Sequence, residues 1–355
     1  MTFVDRILHD HYDEIGLDQY GLGRDWSTVL LTPRFATSRH VVALIFAINA
    51  REPSLIVKMP RQPGDGDSIC REALVMNRLR SLGMGAQHGI PAVIAVLDVG
   101  PYTVLIETAV TGVPLEPHTV AANFAGAVDA GRNFAAGLPC TKTAADNKDW
   151  YERTIVGPLA ELASFMPMES ELITLVERTH VLLTPLRSVM LPAVVEHGDL
   201  RYQNLFLRPD GTLQVVDWER SRIDGLPGHD LVSYLQYVSE SHEGALSPHA
   251  QLAAFDKAFG PDGWALGPLI DHLKIRGVSP ELLPLLVIAT WARSAATLAH
   301  RLNGEAGGQR RRTQAAILAD RDYWLWRHAV KTYPDNKPVE VGSGDADIRR
   351  DAPWG

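Results

Sequence analysis

Residues 194–219 read VVEHGDLRYQNLFLRPDGTLQVVDWE, and this stretch decides the fold of the chain. Two short runs of apolar and β-branched residues, 205–207 and 212–218, flank the turn sequence Arg208-Pro209-Asp210-Gly211. Proline presets the backbone for the first turn position, and glycine closes a tight turn without steric cost. The pattern therefore predicts a β-hairpin.

The register of this hairpin decides which side chains meet at its open end. If Leu207 lies opposite Thr212, then Asn204 lies opposite Val215, and Asp217 follows two positions further out. Cross-strand neighbours at this spacing are within reach of one another. Mg2+ takes oxygen ligands, few of them from the protein, and phosphates and water complete its coordination. The hairpin therefore predicts a Mg2+ site between Asn204 and Asp217.

Asp199 precedes Asn204 by five residues and falls in the loop that leads into the hairpin. A carboxylate in that place is free to accept a proton from an attacking hydroxyl group. A metal site beside a carboxylate base suits phosphoryl transfer, in which positioning and electrostatics supply most of the catalysis. Asp199 and Asn204 are therefore the candidate catalytic residues, and Asn204 and Asp217 are the candidate metal ligands.

These residues resemble the catalytic core of the aminoglycoside phosphotransferase family, the small-molecule kinases of the protein-kinase-like fold. The family pattern is H-G-D-x-x-x-x-N followed by an apolar strand that ends in D-W or D-F; here it reads His197-Gly198-Asp199, then Asn204, then Val215-Val216-Asp217-Trp218. The resemblance implies a two-lobed α+β fold. Its N-lobe would be a five-stranded antiparallel sheet plus a helix, and its C-lobe would be mainly α-helical and carry the catalytic β-hairpin.

A protein kinase is one alternative, because kinases share the Asp-to-Asn spacing of this loop in their H-R-D-L-x-x-x-N motif. Gly198 stands here in place of the kinase arginine that would read a phosphorylated activation loop. Only twelve residues separate Asp217 from Asp230, which is too few for an activation segment. The sequence Gly228-His229-Asp230-Leu231 instead resembles the small-molecule kinases, in which this aspartate braces the catalytic loop.

The composition bounds the class of protein. The chain has 355 residues, of which 46% are hydrophobic and 21% charged, an ordinary globular balance that predicts two domains or lobes. A formal net charge of −8 argues against a general nucleic-acid-binding protein. Two cysteines, Cys70 and Cys140, fit a reducing compartment. No long apolar run predicts a membrane span and the N-terminal segment does not resemble a secretory signal, so we expect a cytoplasmic protein.

Three β-rich runs, Thr28 to Phe35, Val41 to Ile48 and Leu55 to Met59, predict the first strands of the N-lobe sheet. The first connection, Thr32 to His40, should cover the nucleotide phosphates, yet it contains no glycine. A glycine-rich loop would let backbone N–H groups approach phosphates closely. Thr37, Ser38 or Arg39 could donate instead, and the choice between ATP and GTP stays open.

Lys58 lies in the strand sequence Leu55-Ile56-Val57-Lys58-Met59, which resembles the V-A-I-K strand whose lysine neutralises the α- and β-phosphates. A lysine in an apolar strand often serves only to keep an exposed sheet edge from pairing with another strand. The following stretch, Ile69 to Leu82, has helical periodicity, and Glu72 borders its apolar face. The resemblance makes Glu72 the acid that orients Lys58.

Residues 91–100 and 102–107 predict two more strands, which complete the sheet. In the resembled family, the backbone groups of the positions matched by Glu107 and Ala109 hydrogen-bond the nucleotide base. Gly112 and Pro114 end this segment and mark the boundary between the lobes. We therefore expect an N-lobe over residues 1–112, a C-lobe over 113–333 and a disordered tail over 334–355.

The C-lobe should be α-rich, because apolar residues recur at threes and fours over 120–136, 150–165, 169–183, 247–259, 282–302 and 314–330, and a further helix begins at 230. These helices would bind the acceptor. His197 lacks a second histidine at zinc-ligand spacing, and the resemblance implies that it packs and hydrogen-bonds within the catalytic loop.

The sequence predicts transfer of the γ-phosphate of ATP or GTP to a hydroxyl of a small molecule such as an aminoglycoside, a sugar or an amino alcohol. Lys58 and Glu72 would hold the nucleotide, Asn204 and Asp217 would hold Mg2+, and Asp199 would act as the base. Besides a protein kinase, a catalytically idle kinase-like binding protein is an alternative, for which the glycine-free loop is the positive sign. The acceptor and the oligomeric state do not follow from the sequence.

Overall fold

The computed structural model describes residues 1–31, 40–166, 170–305 and 310–333, and it describes their side chains except over 300–313. Most of the predicted phosphate loop, residues 32–39, and the predicted tail, residues 334–355, therefore lie outside the described residues. The described part has two lobes. The predicted α+β architecture is confirmed.

The N-lobe is an antiparallel sheet of five strands in the order β1-β2-β3-β5-β4. The strands are β1 (Trp26–Leu31), β2 (His40–Ala47), β3 (Leu55–Pro60), β4 (Val93–Val99) and β5 (Tyr102–Thr108). Helices α1 (Phe3–Asp10) and α2 (Tyr12–Ile15) precede the sheet, and helix α3 (Asp67–Ser81) joins β3 to β4. This is the predicted sheet and helix, with strand ends that differ by a few residues.

The two faces of the N-lobe sheet bury different side chains. Val57 and Ile106 face a core shared with Val4 and Ile7 of helix α1 (Phe3–Asp10). Successive side chains of a strand alternate between faces, so Lys58 points to the opposite face. The pairing of β3 with β5 sets Lys58 opposite Leu105 and Ile56 opposite Glu107, so these side chains share that face.

The catalytic hairpin consists of β9 (Leu205–Leu207) and β10 (Leu213–Val215), and β6 (Val113–Pro114) pairs with β9. The expected register was wrong by one residue, because Leu207 pairs with Leu213 rather than with Thr212. The Arg208 N–H donates to Thr212 O at 3.0 Å, and Gly211 has a φ of 82°. Such a loop has three residues and ends in a left-handed glycine, one more than a two-residue turn.

In the observed register, the two candidate metal ligands, Asn204 and Asp217, are offset by one residue fewer than the sequence predicted. The Val216 N–H donates to Asn204 O at 3.0 Å. Asn204 therefore lies opposite Val216, and Asp217 is the next residue rather than two positions further out.

The C-lobe is mainly helical. Its helices are α4 (Pro117–Ala122), α5 (Phe124–Gly137), α6 (Gly157–Ser164), α7 (Glu171–Leu183), α8 (His229–Glu243), α9 (Pro248–Phe259), α10 (Leu266–Ile275), α11 (Leu283–Glu305), α12 (Arg310–Leu318) and α13 (Arg321–Thr332). A small sheet in the order β11-β8-β7 lies among them, formed by β7 (Cys140–Lys142), β8 (Ala193–Glu196) and β11 (Arg222–Gly225). Strand β8 delivers the chain to the H-G-D loop.

Local capping divides several helices that periodicity predicted as single elements. Asn123 interrupts the helix expected over 120–136, and its side chain caps α5 by accepting from the Gly126 N–H at 3.1 Å. Asp320 likewise caps α13 and separates it from α12. The helix expected over 150–165 begins with a π-helical turn, Glu152–Val156. Helix α10 was not predicted.

Residues 280–299, most of which belong to helix α11, are long and apolar enough to span a membrane by length and composition alone, but 78% of their 18-residue apolar window is buried inside the protein. Trp291 and Ala295 are among its fully enclosed side chains. Helix α11 is therefore the central helix of the C-lobe core, in contact with α6, α8 and α13.

Candidate active site

Lys58 and Glu72 form a buried ion pair between strand β3 and helix α3. Lys58 Nζ lies 2.6 Å from Glu72 Oε1, and Glu72 is fully enclosed. Glu72 lies on the inward face of α3 together with Ile69, Ala73 and Met76. The packing of α3 therefore fixes the carboxylate, and the carboxylate fixes the lysine.

Glu72 also connects the N-lobe to the end of the catalytic hairpin. The backbone N–H of Trp218 donates to Glu72 Oε1 at 3.0 Å. One carboxylate oxygen thus receives both the Lys58 ammonium and the amide that follows Asp217. This contact places the lysine of one lobe beside the acidic end of the other lobe's hairpin.

Glu107 contributes its side chain to this cluster, which the sequence did not indicate. Glu107 Oε1 lies 2.9 Å from Lys58 Nζ, and Glu107 is 1% exposed. Burial raises the pKa of the Glu107 carboxyl to about 7, while the attraction of Lys58 opposes the shift. The second oxygens of Glu72 and Glu107 are buried without a hydrogen-bond partner among the residues that the structure describes.

The expected contacts of Glu107 and Ala109 with a nucleotide base stay a prediction, and strand pairing already engages part of this segment. Glu107 lies inside β5, paired with Ile56 on one side and Val93 on the other. The Ala109 N–H already donates to Ser54 O at 3.1 Å. Strand pairing therefore extends further along this segment than the sequence suggested, and the Ala109 N–H is occupied.

Asp199 is enclosed by two arginines. Arg201 Nε lies 2.5 Å from Asp199 Oδ1, and Arg220 Nη1 lies 3.2 Å from Asp199 Oδ2. Burial raises the pKa of the Asp199 carboxyl, but the two guanidinium groups outweigh it and hold the pKa well below its usual range. Asp199 is therefore ionised at neutral pH, with each oxygen held in place.

The arginine shell extends to the last described helix. Arg201 Nη2 lies 3.4 Å from Asp322 Oδ2, and Arg321 Nη1 lies 3.1 Å from Asp322 Oδ1. Sequence reasoning missed Arg201, Arg220 and Asp322. Arg201 lies two residues after the H-G-D motif and Arg220 two residues after the D-W motif, so their positions were a usable signal, whereas Asp322 is more than a hundred residues distant.

Asn204 lies directly before β9, and Asp217 lies two residues after β10. Each has a side-chain oxygen that can bind a metal ion. The Asn204 side-chain N–H donates to the backbone oxygen of Asp199 at 3.0 Å, which leaves its amide oxygen as the available ligand. Asp217 has a φ of 68°, and only one other non-glycine residue in the described chain, Asn49, has a positive φ. Such strained conformations cluster at functional sites.

The surroundings of Asp217 suit a cation. Burial raises the pKa of the Asp217 carboxyl to about 8, with further contributions from the charges of Glu219 and Glu72. Across the described ranges, no group of three or more His, Cys, Asp or Glu could hold a metal. The donor set is therefore one carboxylate and one amide oxygen, which fits Mg2+ completed by phosphate and water.

Asp230 and His197 hold the catalytic loop in shape. Asp230 accepts hydrogen bonds from the backbone N–H groups of His197 at 2.6 Å and Gly198 at 2.9 Å, which is the brace that the resemblance implied. His197 Nε2 donates to Val216 O at 3.0 Å, and Nδ1 accepts from the Asp199 N–H at 3.2 Å. Burial lowers the pKa of His197 to about 4, so the ring is neutral and both nitrogens are engaged within the loop.

Gly198 is required by the backbone. Its φ is 79°, and a Cβ at this position would lie 2.8 Å from the backbone oxygen of Arg220. An arginine at this position, as in protein kinases, would have a strained backbone and a Cβ that clashes with the Arg220 oxygen. The close approach brings the loop of Asp199 against the segment that follows Asp217.

A buried ion pair supports the loop from behind. Arg293 of α11 binds Glu196, the last residue of β8, at 2.5 and 3.1 Å. Glu196 also accepts from the Leu226 N–H at 2.9 Å. Burial raises the pKa of Glu196, but Arg293 outweighs it and lowers the pKa to about 2. The residue directly before His197 is therefore anchored to the central helix.

Comparison with known proteins agrees with this geometry. The model of the phosphotransferase enzyme family (APH) matches residues 43–267, well over half of the chain. No curated protein matches the sequence significantly.

Two solved structures have a similar fold. One is a thermostable mutant of aminoglycoside phosphotransferase APH(4)-Ia in a ternary complex with AMP-PNP and hygromycin B, 12% identical, with a TM-score of 0.54 over 90% of this chain and 98% of that one. The other is choline kinase LicA from Streptococcus pneumoniae, 13% identical, with a TM-score of 0.51 over 90% and 98%. These likenesses show the fold, and the match to the family model shows that this chain belongs to the phosphotransferase enzyme family.

Proposed function

We propose that this enzyme transfers the γ-phosphate of a nucleoside triphosphate to a hydroxyl group of a small molecule. The observation that carries the proposal is the Glu72 oxygen shared by Lys58 Nζ at 2.6 Å and the Trp218 N–H at 3.0 Å. It brings the one buried lysine of the N-lobe sheet next to Asp217 at the end of the catalytic hairpin. A phosphate-binding cation and a metal-binding acid are thus held in one place.

The nucleotide would lie between the lobes, with Lys58 gripping its phosphates. The AMP-PNP bound to the APH(4)-Ia mutant and the AMP bound to LicA support a nucleotide donor. Asn204 and Asp217 would hold Mg2+, which when bound offsets the charge on the transferred phosphoryl group. ATP and GTP remain equal candidates, since the predicted phosphate loop lies outside the described residues.

Asp199 would orient the acceptor and take its proton. The hydroxyl oxygen of the acceptor forms a bond to the γ-phosphorus, and the bond from that phosphorus to the β–γ bridging oxygen breaks. The bridging oxygen keeps the electron pair and leaves with the nucleoside diphosphate, and the hydroxyl proton passes to Asp199. Because the transition state is largely dissociative, an ionised aspartate with a low pKa suffices to orient the hydroxyl until the proton leaves.

The test is phosphotransfer from ATP and from GTP with Mg2+, measured against aminoglycosides, sugars, amino alcohols and hydroxy acids. Asp199→Asn should lower turnover by about a thousandfold or more, while Asp210→Asn serves as the matched control, because Asp210 is exposed in the hairpin turn. Full turnover in purified Asp199→Asn would overturn the role of the base. Absence of both turnover and Mg2+-nucleotide binding would favour an idle kinase-like binding protein.

A further inference from the structure

A small polar cavity adjoins the candidate base on the C-lobe side. It is bounded by the catalytic loop, by helices α8 and α11 and by the start of α13. Seven polar side chains line it: Asp199, Arg201, Ser233, Trp291, Ser294, Arg321 and Asp322. A small molecule whose hydroxyl reached Asp199 would place its neighbouring groups against this lining.

The acids around this cavity are already neutralised by arginines. Asp199 is held by Arg201 and Arg220, and Asp322 is held by Arg201 and Arg321. Arg321 Nε additionally lies 2.8 Å from Glu240 Oε1 on helix α8. Each carboxylate thus has a cation within 3.4 Å or less, so none is left to receive the ammonium group of a ligand.

One buried donor that lines the cavity has no hydrogen-bond partner among the described residues. Trp291 is 1% exposed, and its Nε1–H has no hydrogen-bond partner among the described residues. The Arg321 guanidinium lies over the Trp291 ring at 5.4 Å. The half-buried side chains of Ser233 and Ser294 line the same cavity. A buried donor without a partner costs free energy, and a ligand oxygen would recover it.

We propose that the acceptor is a hydroxyl compound that also carries an anionic group, a carboxylate or a phosphate, held at this cavity by Arg321, Trp291 and Ser294. This inference rests on the proposed phosphotransferase function. The anion would accept hydrogen bonds from the indole and hydroxyl donors, and the guanidinium would supply the charge. A cationic acceptor would meet carboxylates that are already paired and the positive charge of Arg321, and would be disfavoured.

A set of three acceptors that share a four-carbon chain separates charge from size. They are 4-hydroxybutyrate, 1,4-butanediol and 4-aminobutan-1-ol, which differ at one end in being anionic, neutral and cationic. We expect kcat/KM for the anion to exceed both others by about tenfold or more, the gain of one charge-assisted hydrogen bond. Equal or better use of the neutral or cationic compound would overturn the proposal.

Two variants connect that preference to the cavity. Arg321→Gln should remove the preference for the anion, and Ser294→Ala should reduce it without changing any charge. Arg187→Gln is the control for Arg321→Gln, because Arg187 forms an exposed ion pair far from the site. A preference that survives in both cavity variants would place anion recognition elsewhere and refute the assignment.

If none of the three four-carbon acceptors is phosphorylated, a binding measurement tests whether the cavity binds an anion. Thermal unfolding is followed in the presence of saturating Mg2+ and AMP-PNP, with malonate or tetramethylammonium added. Malonate should raise the Tm of the wild type and raise it less in Ser294→Ala and Trp291→Phe, and tetramethylammonium should not. Stabilisation by tetramethylammonium alone, or no effect of malonate, would refute an anion site. Failure of the phosphotransferase function would instead appear as no nucleotide binding and no turnover.

Discussion

Glu107 Oε1 lies 2.9 Å from Lys58 Nζ, so the lysine of the candidate nucleotide site is shared between two buried carboxylates. The register of β3 against β5 produces this contact, because it puts Glu107 opposite Ile56 on the face that carries Lys58. Glu72 holds the lysine towards Asp217, while Glu107, when ionised above its raised pKa of about 7, adds a second negative charge beside the expected position of the phosphates.

Replacing Glu107 by glutamine should tighten nucleotide binding. The variant removes a negative charge next to Lys58 and keeps the shape of the side chain, so the KM for ATP or GTP should fall by about threefold or more. Steady-state kinetics at saturating acceptor measures this. Glu52→Gln, an exposed site in the turn before β3, is the control. A higher KM in Glu107→Gln would mean that the carboxylate helps nucleotide binding.

Replacing Glu72 by glutamine should impair catalysis with little loss of fold. The amide oxygen can still accept from the Trp218 N–H, but the charge that fixes Lys58 is gone, so kcat/KM should fall by about tenfold to a hundredfold. Asp67→Asn, exposed in the first turn of the same helix, should leave kcat/KM unchanged. If Glu72→Gln matched the wild type in a folded sample, the ion pair would be structural only.

Removal of divalent cations should abolish turnover, because the cation that Asp217 and Asn204 would hold offsets the charge of the transferred phosphoryl group. Chelation by EDTA followed by titration with Mg2+ measures the requirement. In Asp217→Asn, the Mg2+ concentration for half-maximal rate should rise by about tenfold or more. An unchanged Mg2+ dependence in this variant would exclude Asp217 as a ligand. Asp210→Asn is again the control.

Replacing Arg293 by methionine should destabilise the fold by about 3–5 kcal/mol at neutral pH, because Glu196 would be left buried without its partner. Arg293 lowers the pKa of Glu196 from an ordinary 4.5 to about 2. The stability from this pair is therefore present above about pH 4.5 and is lost as the pH falls through about 2. The difference in free energy of unfolding between the wild type and Arg293→Met should therefore decrease as the pH falls from about 4.5 to about 2.

Urea unfolding at a series of pH values measures this difference. Arg187→Met is the matched control, since its ion pair with Glu152 is exposed and should contribute less than about 1 kcal/mol at any pH. A difference for Arg293→Met that stayed constant between pH 5 and pH 2 would show that Arg293 acts through packing rather than through its charge.

The sequence by itself determined the catalytic hairpin, the five-stranded sheet and the placement of Lys58 and Glu72 on a strand and a helix. These features follow from local rules, namely alternation in strands, helical periodicity and turn chemistry, which act over a few residues. The family pattern from His197 to Trp218 could be found for the same reason, because its members are close along the chain. The predicted register was wrong by one residue because the pattern of apolar and turn residues does not show whether the hairpin loop has two residues or three.

Only the tertiary structure decided what surrounds that core. Arg201 meets Asp322 across 121 positions of sequence, and Trp218 meets Glu72 across 146. Likewise, Glu107 reaches Lys58 and the Ala109 N–H is taken by Ser54 because β5 pairs with β3 in one register and not another. Such contacts depend on how helices and strands pack, and no local spacing encodes them. The charge of the proposed acceptor site would therefore be a property of the fold rather than of the motif.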